Sequence, residues 1–454
     1  MKKIYSLFLN LSKKCNVNDI TIKIIKATIP IAGANIMDFA FGLVDSAFVA
    51  RRGATIISAV EVATQIMFCL NYIILGIVSG NSIFLARLFG NKVSIKREVN
   101  NILGYSLRIT LSACCLFIIF CSINPMLLLS FFSKDSELLE FAASFLVIYS
   151  MSWFWLSISL ILINVLRCNH NNKIVLYISI LIVFLKILLS FIFYKIIDIK
   201  GLALATLIAR CIECFLYVTV IINKKEDLCI NIKQILLPKK NLKISYLEKI
   251  IPIITNEVMW SFGFSIVSII LAQMGVSAIA AYSIYNLSKK ISGFIGQALI
   301  TTCSIFMGNI IGMGNKEKIF SFKNYILKIT RFISVFTGVF TIFIGNILLK
   351  VYLVDANTMK YAVQFIYVGS IIEFFRIKAS MNMIGILRAG ADTKFVLIND
   401  ILFMWLIEIP IGYILISFYK VPVVVLFFIL NIEHIFKYLT SNVRLQSNKW
   451  LKEL

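Results

Sequence analysis

Pro30-Ile-Ala-Gly-Ala-Asn-Ile-Met-Asp-Phe-Ala-Phe-Gly-Leu-Val-Asp-Ser-Ala-Phe-Val-Ala-Arg-Arg-Gly53 is long and apolar enough to cross a bilayer, yet it carries Asn35, Asp38 and Asp45. Asp38 and Asp45 stand seven positions apart, close to two helical turns, so both carboxylates point the same way. A charge at the bilayer centre costs roughly 3 kcal/mol even on the lenient insertion scale. Such a face turns towards a cavity or a partner side chain, not towards lipid.

The stretch recurs. A second copy opens at Pro252, in Pro252-Ile-Ile-Thr-Asn-Glu-Val-Met-Trp-Ser-Phe-Gly-Phe264. An offset of about 222 residues lays Pro30 on Pro252, Asn35 on Glu257 and Gly53 on Gly275. Nearly the same offset lays Leu166-Arg167-Cys-Asn-His-Asn-Asn-Lys173 on Leu387-Arg388-Ala-Gly-Ala-Asp-Thr-Lys394. The chain reads as a duplicated membrane unit whose halves differ most where the acids lie, which points to a two-lobed transporter.

Composition agrees. Hydrophobic residues make up 60% of the 454, far too many for a soluble domain. The net charge of +23 does not imply nucleic acid, because the cations sit in short gaps between apolar runs and no basic-aromatic module is present. The ten cysteines are scattered mostly within those runs and imply no disulfide framework. Cys211-Ile-Glu-Cys214 has metal-like spacing but lacks the second pair that a four-ligand zinc site needs, so no metal is expected there.

Apolar runs of spanning length fall near 25–50, 56–86, 101–130, 138–163, 174–196 and 201–222, then near 248–273, 278–310, 324–352, 358–386, 396–419 and 421–440. The expected fold is an all-α integral membrane protein of about twelve transmembrane helices in two six-helix lobes. Its parts are a basic N-terminal segment (1–24), an N-lobe (25–222), a connector (223–246), a C-lobe (247–440) and a tail (441–454). Residues 1–15 resemble a signal peptide only superficially, since the apolar core is short and ends in Lys13-Lys14.

The even-numbered gaps carry Arg87, Lys92, Lys96 and Arg97, then Arg167 and Lys173, Lys316, Lys318 and Lys323, and Arg388 and Lys394. The connector adds Lys224, Lys225, Lys233, Lys239, Lys240 and Lys243, whereas the odd gaps, with Arg51-Arg52 and Lys134, are poorer. By the positive-inside rule both termini and the connector are cytoplasmic, at the inner membrane of the cell. The two halves then share one orientation, which implies a pseudo-twofold axis along the membrane normal. Pro30, Pro252 and Pro410 lie inside spans, where a freed carbonyl permits a bend; hinges and static kinks are both open readings.

Val44-Asp45-Ser-Ala-Phe-Val with Gly53, Phe89-Gly90-Asn91, and Asn256-Glu257-Val-Met-Trp-Ser-Phe-Gly263 form an ordered set with Gly385-Ile-Leu-Arg-Ala-Gly-Ala-Asp-Thr-Lys394, Met404-Trp405, Pro410 and the tail Lys437, Arg444, Ser447-Asn-Lys-Trp450. Over essentially the whole chain this set resembles the multidrug and toxic compound extrusion (MATE) family, in its bacterial branch. The resemblance implies an exporter of amphipathic, often cationic, small organic molecules that works by alternating access in exchange for protons or sodium ions. Membrane lipid and cargo are then its partners, a monomer its expected state, and no cofactor beyond the coupling ion is needed. An acid in a low-dielectric cavity fits this role, since a proton, a sodium ion or a cationic cargo can each neutralise it.

Asp45 matches the family's first-helix aspartate of the N-lobe cation site, and Glu257, beside Asn256, the seventh-helix glutamate used in the C-lobe. Sodium at either acid is an alternative to a proton. Asp38 has no family counterpart, and Asn35 is the neutral equivalent of Glu257. On the fifth span Lys186 and Ser190 stand where the proton-coupled archaeal-type pattern has an Asn and an Asp. A mid-span lysine must be neutral or paired, with Asp38 or Asp45 the natural partner. Thr206 matches the sixth-helix threonine. Glu408, before Pro410, falls within one residue of the repeat equivalent of Lys186 and is a candidate cavity acid.

Glu373, Arg376 and Lys378 have the helical spacing for mutual neutralisation, while Glu61 and Glu213 have no assigned role. Tyr149, Trp153, Trp155 and Trp260 could stack on cargo or hold cations, though packing serves equally. Lys289 and Lys290, mid-run in the eighth span, would suit anionic cargo better, so a flippase for a lipid-linked sugar or an amphipathic peptide is the alternative function. An enzyme is not expected. The histidines are two, His170 and His434, and no Walker A, zinc-helix or Ser-His-acid grouping occurs.

Overall fold

The computed structural model describes residues 17–50, 54–91, 95–130, 135–238, 243–352, 354–419 and 421–452. The segment before residue 17, Arg51-Arg52-Gly53, Lys92, Lys134, Lys239 and Lys240 lie outside the described residues. Helices joined by turns and coil make up everything described, without a strand, and the chain divides into two compact units after Tyr246.

The first unit holds α1 (Val17–Val49), α2 (Ala54–Gly90), α3 (Ile95–Ile123), the short α4 (Pro125–Leu129), α5 (Ser136–Cys168), α6 (Asn172–Asn223) and the short α7 (Ile232–Leu236). Helix α8 (Lys243–Ala272) leads into the second unit, followed by α9 (Val276–Gly312), α10 (Lys316–Val351) and α11 (Ala356–Ser380). There α11 runs on through a π-helical segment, Met381–Arg388. Then come α12 (Thr393–Asp400), a second π segment (Ile401–Glu408), α13 (Ile409–Phe418), α14 (Val423–Ile429) and α15 (Glu433–Gln446).

Ten of the described helical stretches are long and apolar enough to cross a membrane. One of them, α6, is two spans. Its backbone breaks at Ile197 and Asp198, the latter at φ 52° and ψ −131°. Gly201 follows because a Cβ there would collide with the Phe193 carbonyl. Counting α6 twice gives eleven, and α11 with its π segment, whose apolar run is interrupted by Glu373, Arg376 and Lys378, supplies the twelfth. The chain is an all-α integral membrane protein. Large apolar side chains such as Leu116, Phe184, Phe332 and Val339 point outward, which is tolerable only against acyl chains.

Inside, each unit has an apolar core. Met67, Leu70, Phe145, Leu146 and Leu202 pack in the first. In the second, Phe365 stacks on Phe427 at 4.2 Å beside Tyr282 and Tyr285. Interior hydroxyls bond back to their own helices, as Thr337 does to the Ile333 carbonyl and Thr341 to that of Thr337.

The duplication is visible in the turns. After α5, His170 takes φ 60°, with Asn171 N donating to the Leu166 carbonyl and His170 N to that of Arg167. After the first π segment, Ala391 takes φ 63°, with the same bonds from Asp392 N to Leu387 and from Ala391 N to Arg388. Both are Schellman closures of a helix end. Asp135 and Asp355 cap α5 and α11 alike, each accepting from two backbone amides. Hydrogen bonds from Thr358 hold the exposed Asp355 carboxyl below its ordinary range.

The connector is tied to α3. Asn100 donates to the Cys229 carbonyl at 3.1 Å and accepts from Asn231 N at 2.9 Å, while Arg108 donates to the Leu236 carbonyl at 2.6 Å. Polar side chains of α3 thus satisfy backbone groups that a short, partly irregular segment cannot satisfy itself. The last span, expected to end near residue 440, continues as α15 to Gln446.

Candidate functional site

In the first unit the break in α6 folds its two spans into a hairpin, so Lys186 reaches across to Leu202 and Thr206. Lys186 is fully buried and donates to Asp45 Oδ1 at 2.6 Å, to the Leu202 carbonyl at 3.1 Å, and to Thr206 Oγ1. Thr206 Oγ1 lies 2.9 Å from the Leu202 carbonyl and 3.4 Å from Asp45 Oδ2. Lys186, on the fifth span, is thus paired with Asp45, whose side chain is only 8% exposed.

Asp38 lies on the same stripe of α1 and also faces α6, as two turns of helix require. Its fate differs, because its side chain is 70% exposed and its partner is Arg210, at 3.1 Å. Arg210 also grips buried Glu213 at 2.8 Å and covers the Phe41 ring at 3.9 Å. Asn35 accepts from Arg167 at 3.4 Å. Tyr149 stacks on Phe145 at 5.1 Å, close enough to Asp45, Asp38 and Arg210 to feel their charges. Ser190 is buried, and its hydroxyl has no hydrogen-bond partner among the described residues. Glu61 is exposed.

The second unit holds a longer chain of polar contacts. Glu257 Oε1 accepts from Arg388 at 2.6 Å, and the same guanidinium donates to Asn256 Oδ1. Asn256 Nδ2 donates to Asp400 Oδ2 at 2.6 Å. Lys437 binds Asp400 Oδ1 at 2.6 Å and Glu433 Oε2 at 2.7 Å. Glu433 lies against the carboxyl of Glu408, which closes the second π segment and is 3% exposed. Glu408 Oε2 meets no hydrogen-bond donor among the described residues. Lys289 sits over the rings of Phe264 and Tyr285 and within electrostatic reach of Glu373 and Glu408. Glu373 pairs with Arg376, and Lys378 instead covers Phe374 and Tyr438. Trp260 stacks on Phe264 at 5.7 Å, Trp155 tilts on Phe215, and Trp153 is buried.

Two features make the second arrangement chemically distinctive. A π segment shifts the side chains beyond it by one position relative to an α-helix, and here the two segments end on Arg388 and Glu408. Charged groups then alternate in sign from Glu257 to Glu433, and Glu408 adds a second carboxyl at that end of the chain. Among the described residues no cluster of three His, Cys, Asp or Glu side chains could hold a metal ion.

The acids and Lys186 singled out by sequence therefore do not share one site: Asp45 meets Lys186, Asp38 meets Arg210, and Glu257 and Glu408 belong to the second-unit chain. Sequence alone did not reveal Arg210, which is shared with Glu213, as the partner of Asp38, or Arg388, Asp400, Glu433 and Lys437 as members of the second network. One signal was available. The repeat lays Asn35 on Glu257 and Arg167 on Arg388, and the structure brings each pair into contact within its own unit.

Comparison with known proteins matches the MatE family at residues 30–192 and 252–414, two blocks that open on Pro30 and Pro252. The probable multidrug resistance protein NorM of Thermotoga maritima is 21% identical, covering 99% of this chain and 97% of its own. Among solved structures, the D35N mutant of the Vibrio cholerae MATE transporter VcmN has a TM-score of 0.85 at 14% identity, covering 96% of this chain and 99% of that one. A MOP superfamily transporter from Pyrococcus furiosus has a TM-score of 0.84 at 16% identity, covering 95% and 96%. With both halves matched by one family over most of its length, the chain belongs to the multidrug and toxic compound extrusion family.

Proposed function

We propose that this chain is a secondary active efflux transporter that exports amphipathic, often cationic, organic compounds in exchange for inward-moving cations. Its place is the inner membrane, with both termini on the cytoplasmic side, as the lysine-rich even gaps favour. The reading draws on family membership and on the relatives named for multidrug resistance.

The observation that carries the mechanism is the second-unit chain from Glu257 to Glu408. Two carboxyl groups in contact and away from water cannot both ionise cheaply, so a proton is the ion that such a pair takes up and gives back. Elsewhere in both units a lysine or arginine already occupies the place that a sodium ion would take at Asp45, Asp38 and Glu257. The proton is therefore the favoured coupling ion and sodium the alternative. Cargo that disturbs the chain shifts the proton affinity of Glu408, and by linkage protonation shifts cargo affinity by the same factor.

A second reading, export of an anionic lipid-linked sugar or a peptide, draws on Lys289 beside the aromatic pair. The test offers labelled cationic dye outside inverted vesicles, whose cytoplasmic face is outward, and reads its uptake under proton or sodium gradients imposed in turn, for wild type, Glu408→Gln, Glu257→Gln and Asp45→Asn. Proton-driven dye transport that Glu408→Gln abolishes is expected. Transport driven by ATP alone, or unchanged in all three variants, refutes the reading, and indifference to dyes moves the case to anionic cargo.

A further inference from the structure

We propose that the segment 447–452 and Asp392 form a clamp that positions Arg388 on Glu257, so that Asp392, Arg444 and Trp450 are positioning residues of the second-unit site. The proposal rests on the reading of that site as the coupling site.

The turn 388–392 is where the clamp closes. Trp450 is fully buried, and a Cβ added to Gly390 would meet its ring and, at 2.6 Å, its carbonyl oxygen. Lys452 N donates to the Gly390 carbonyl at 2.9 Å. Asp392, itself fully buried, accepts from Arg444 Nε at 2.7 Å and forms an ion pair with Lys452 Nζ at 2.5 Å. The far edge of Trp450 meets Phe320 at 6.4 Å. One backbone hydrogen bond, two ion pairs and an aromatic wedge thus converge on five consecutive residues.

Arg388 opens that turn, and its guanidinium holds Glu257 and Asn256. A freely swinging arginine would lose side-chain entropy on fixing both contacts. A turn held from behind spares the backbone share of the ordering cost, because only the side chain remains to be ordered. The repeat supplies an internal contrast. The turn 166–171 has the same Schellman bonds, but it presents Asn171 where the second copy has Asp392, and its Arg167 meets the neutral Asn35 at 3.4 Å. The clamp therefore belongs to the copy that carries the acid.

Amide hydrogen exchange of the full chain in nanodiscs is the first test, on wild type, Trp450→Ala and Trp450→Phe. Trp450→Ala should speed exchange across Leu387–Asp392 by on the order of tenfold, leave Leu166–Asn171 unchanged, and be reversed in large part by Trp450→Phe. The second is the pH profile of gradient-driven efflux. Asp392→Asn should move its midpoint in the same direction as Arg388→Gln, and the double variant should behave as Arg388→Gln alone, as expected of residues acting through one another. Unchanged exchange at 387–392, an unmoved midpoint, or additive shifts overturn the proposal. If wild type shows no gradient-driven efflux, the coupling reading falls instead, and the exchange experiment still decides the clamp.

Discussion

Replacing Lys186 by methionine tests the first-unit network directly. The Lys186–Asp45 pair is 2.6 Å apart, with side chains 0% and 8% exposed. At an effective dielectric near 20 the attraction is about 6 kcal/mol. Removing each ion from water costs several kcal/mol, so the intact pair nets little. Breaking it is another matter. In Lys186→Met, Asp45 keeps only the Thr206 hydroxyl at 3.4 Å, and the loss should be about 3–5 kcal/mol. Asp45→Asn should cost less, because Lys186 keeps the Leu202 carbonyl and Thr206 as acceptors. The double variant Asp45→Asn/Lys186→Met, with no buried charge left, should recover most of the loss. The assay is thermal stability of detergent-purified protein, read as the monodisperse fraction on size exclusion after heating. A difference of 3–5 kcal/mol corresponds to roughly 10²–10⁴ in the equilibrium, so the order of the variants is easily resolved. A double variant no more stable than Lys186→Met would refute the reasoning, since the penalty would then lie in packing and not in a stranded carboxylate.

Further expectations concern the turns. Burial pushes His170, between the fourth and fifth spans, down to about 4, so it folds uncharged. Its stabilising contribution is complete above the ordinary histidine value of about 6.5 and is lost as pH falls from there towards 4. Melting temperature should drop between pH 7 and pH 5 in wild type, and by less in His170→Asn, which tolerates the φ of 60°. Gly390→Ala should destabilise by about 1–3 kcal/mol through its clash with Trp450, measured by the same heating assay. Asp198 holds a backbone conformation that suits glycine, so Asp198→Gly should be neutral or stabilising and Asp198→Val should cost about 1–3 kcal/mol, compared by expression and melting.

Much of the fold was legible in the sequence, for a physical reason. A bilayer demands about twenty apolar residues per helix and confines lysines to one side, so spans and their order can be read without tertiary information. Duplication then let one half check the other, and the pairs Pro30 and Pro252, Asn35 and Glu257, Arg167 and Arg388 lie where the repeat lays them. The acids themselves were also visible, because ionisable residues inside apolar runs stand out against their surroundings. Their partners were not. Asp45 finds Lys186 from 141 positions away, and Glu257 finds Arg388 from 131. Nothing local in the chain encodes which cation turns inward to meet which acid. The break at Ile197–Asp198, the two π segments and the packing of Trp450 beneath Gly390 settle that. These are features of how helices close on one another, where a shift of one residue decides whether a charge is stranded or paired.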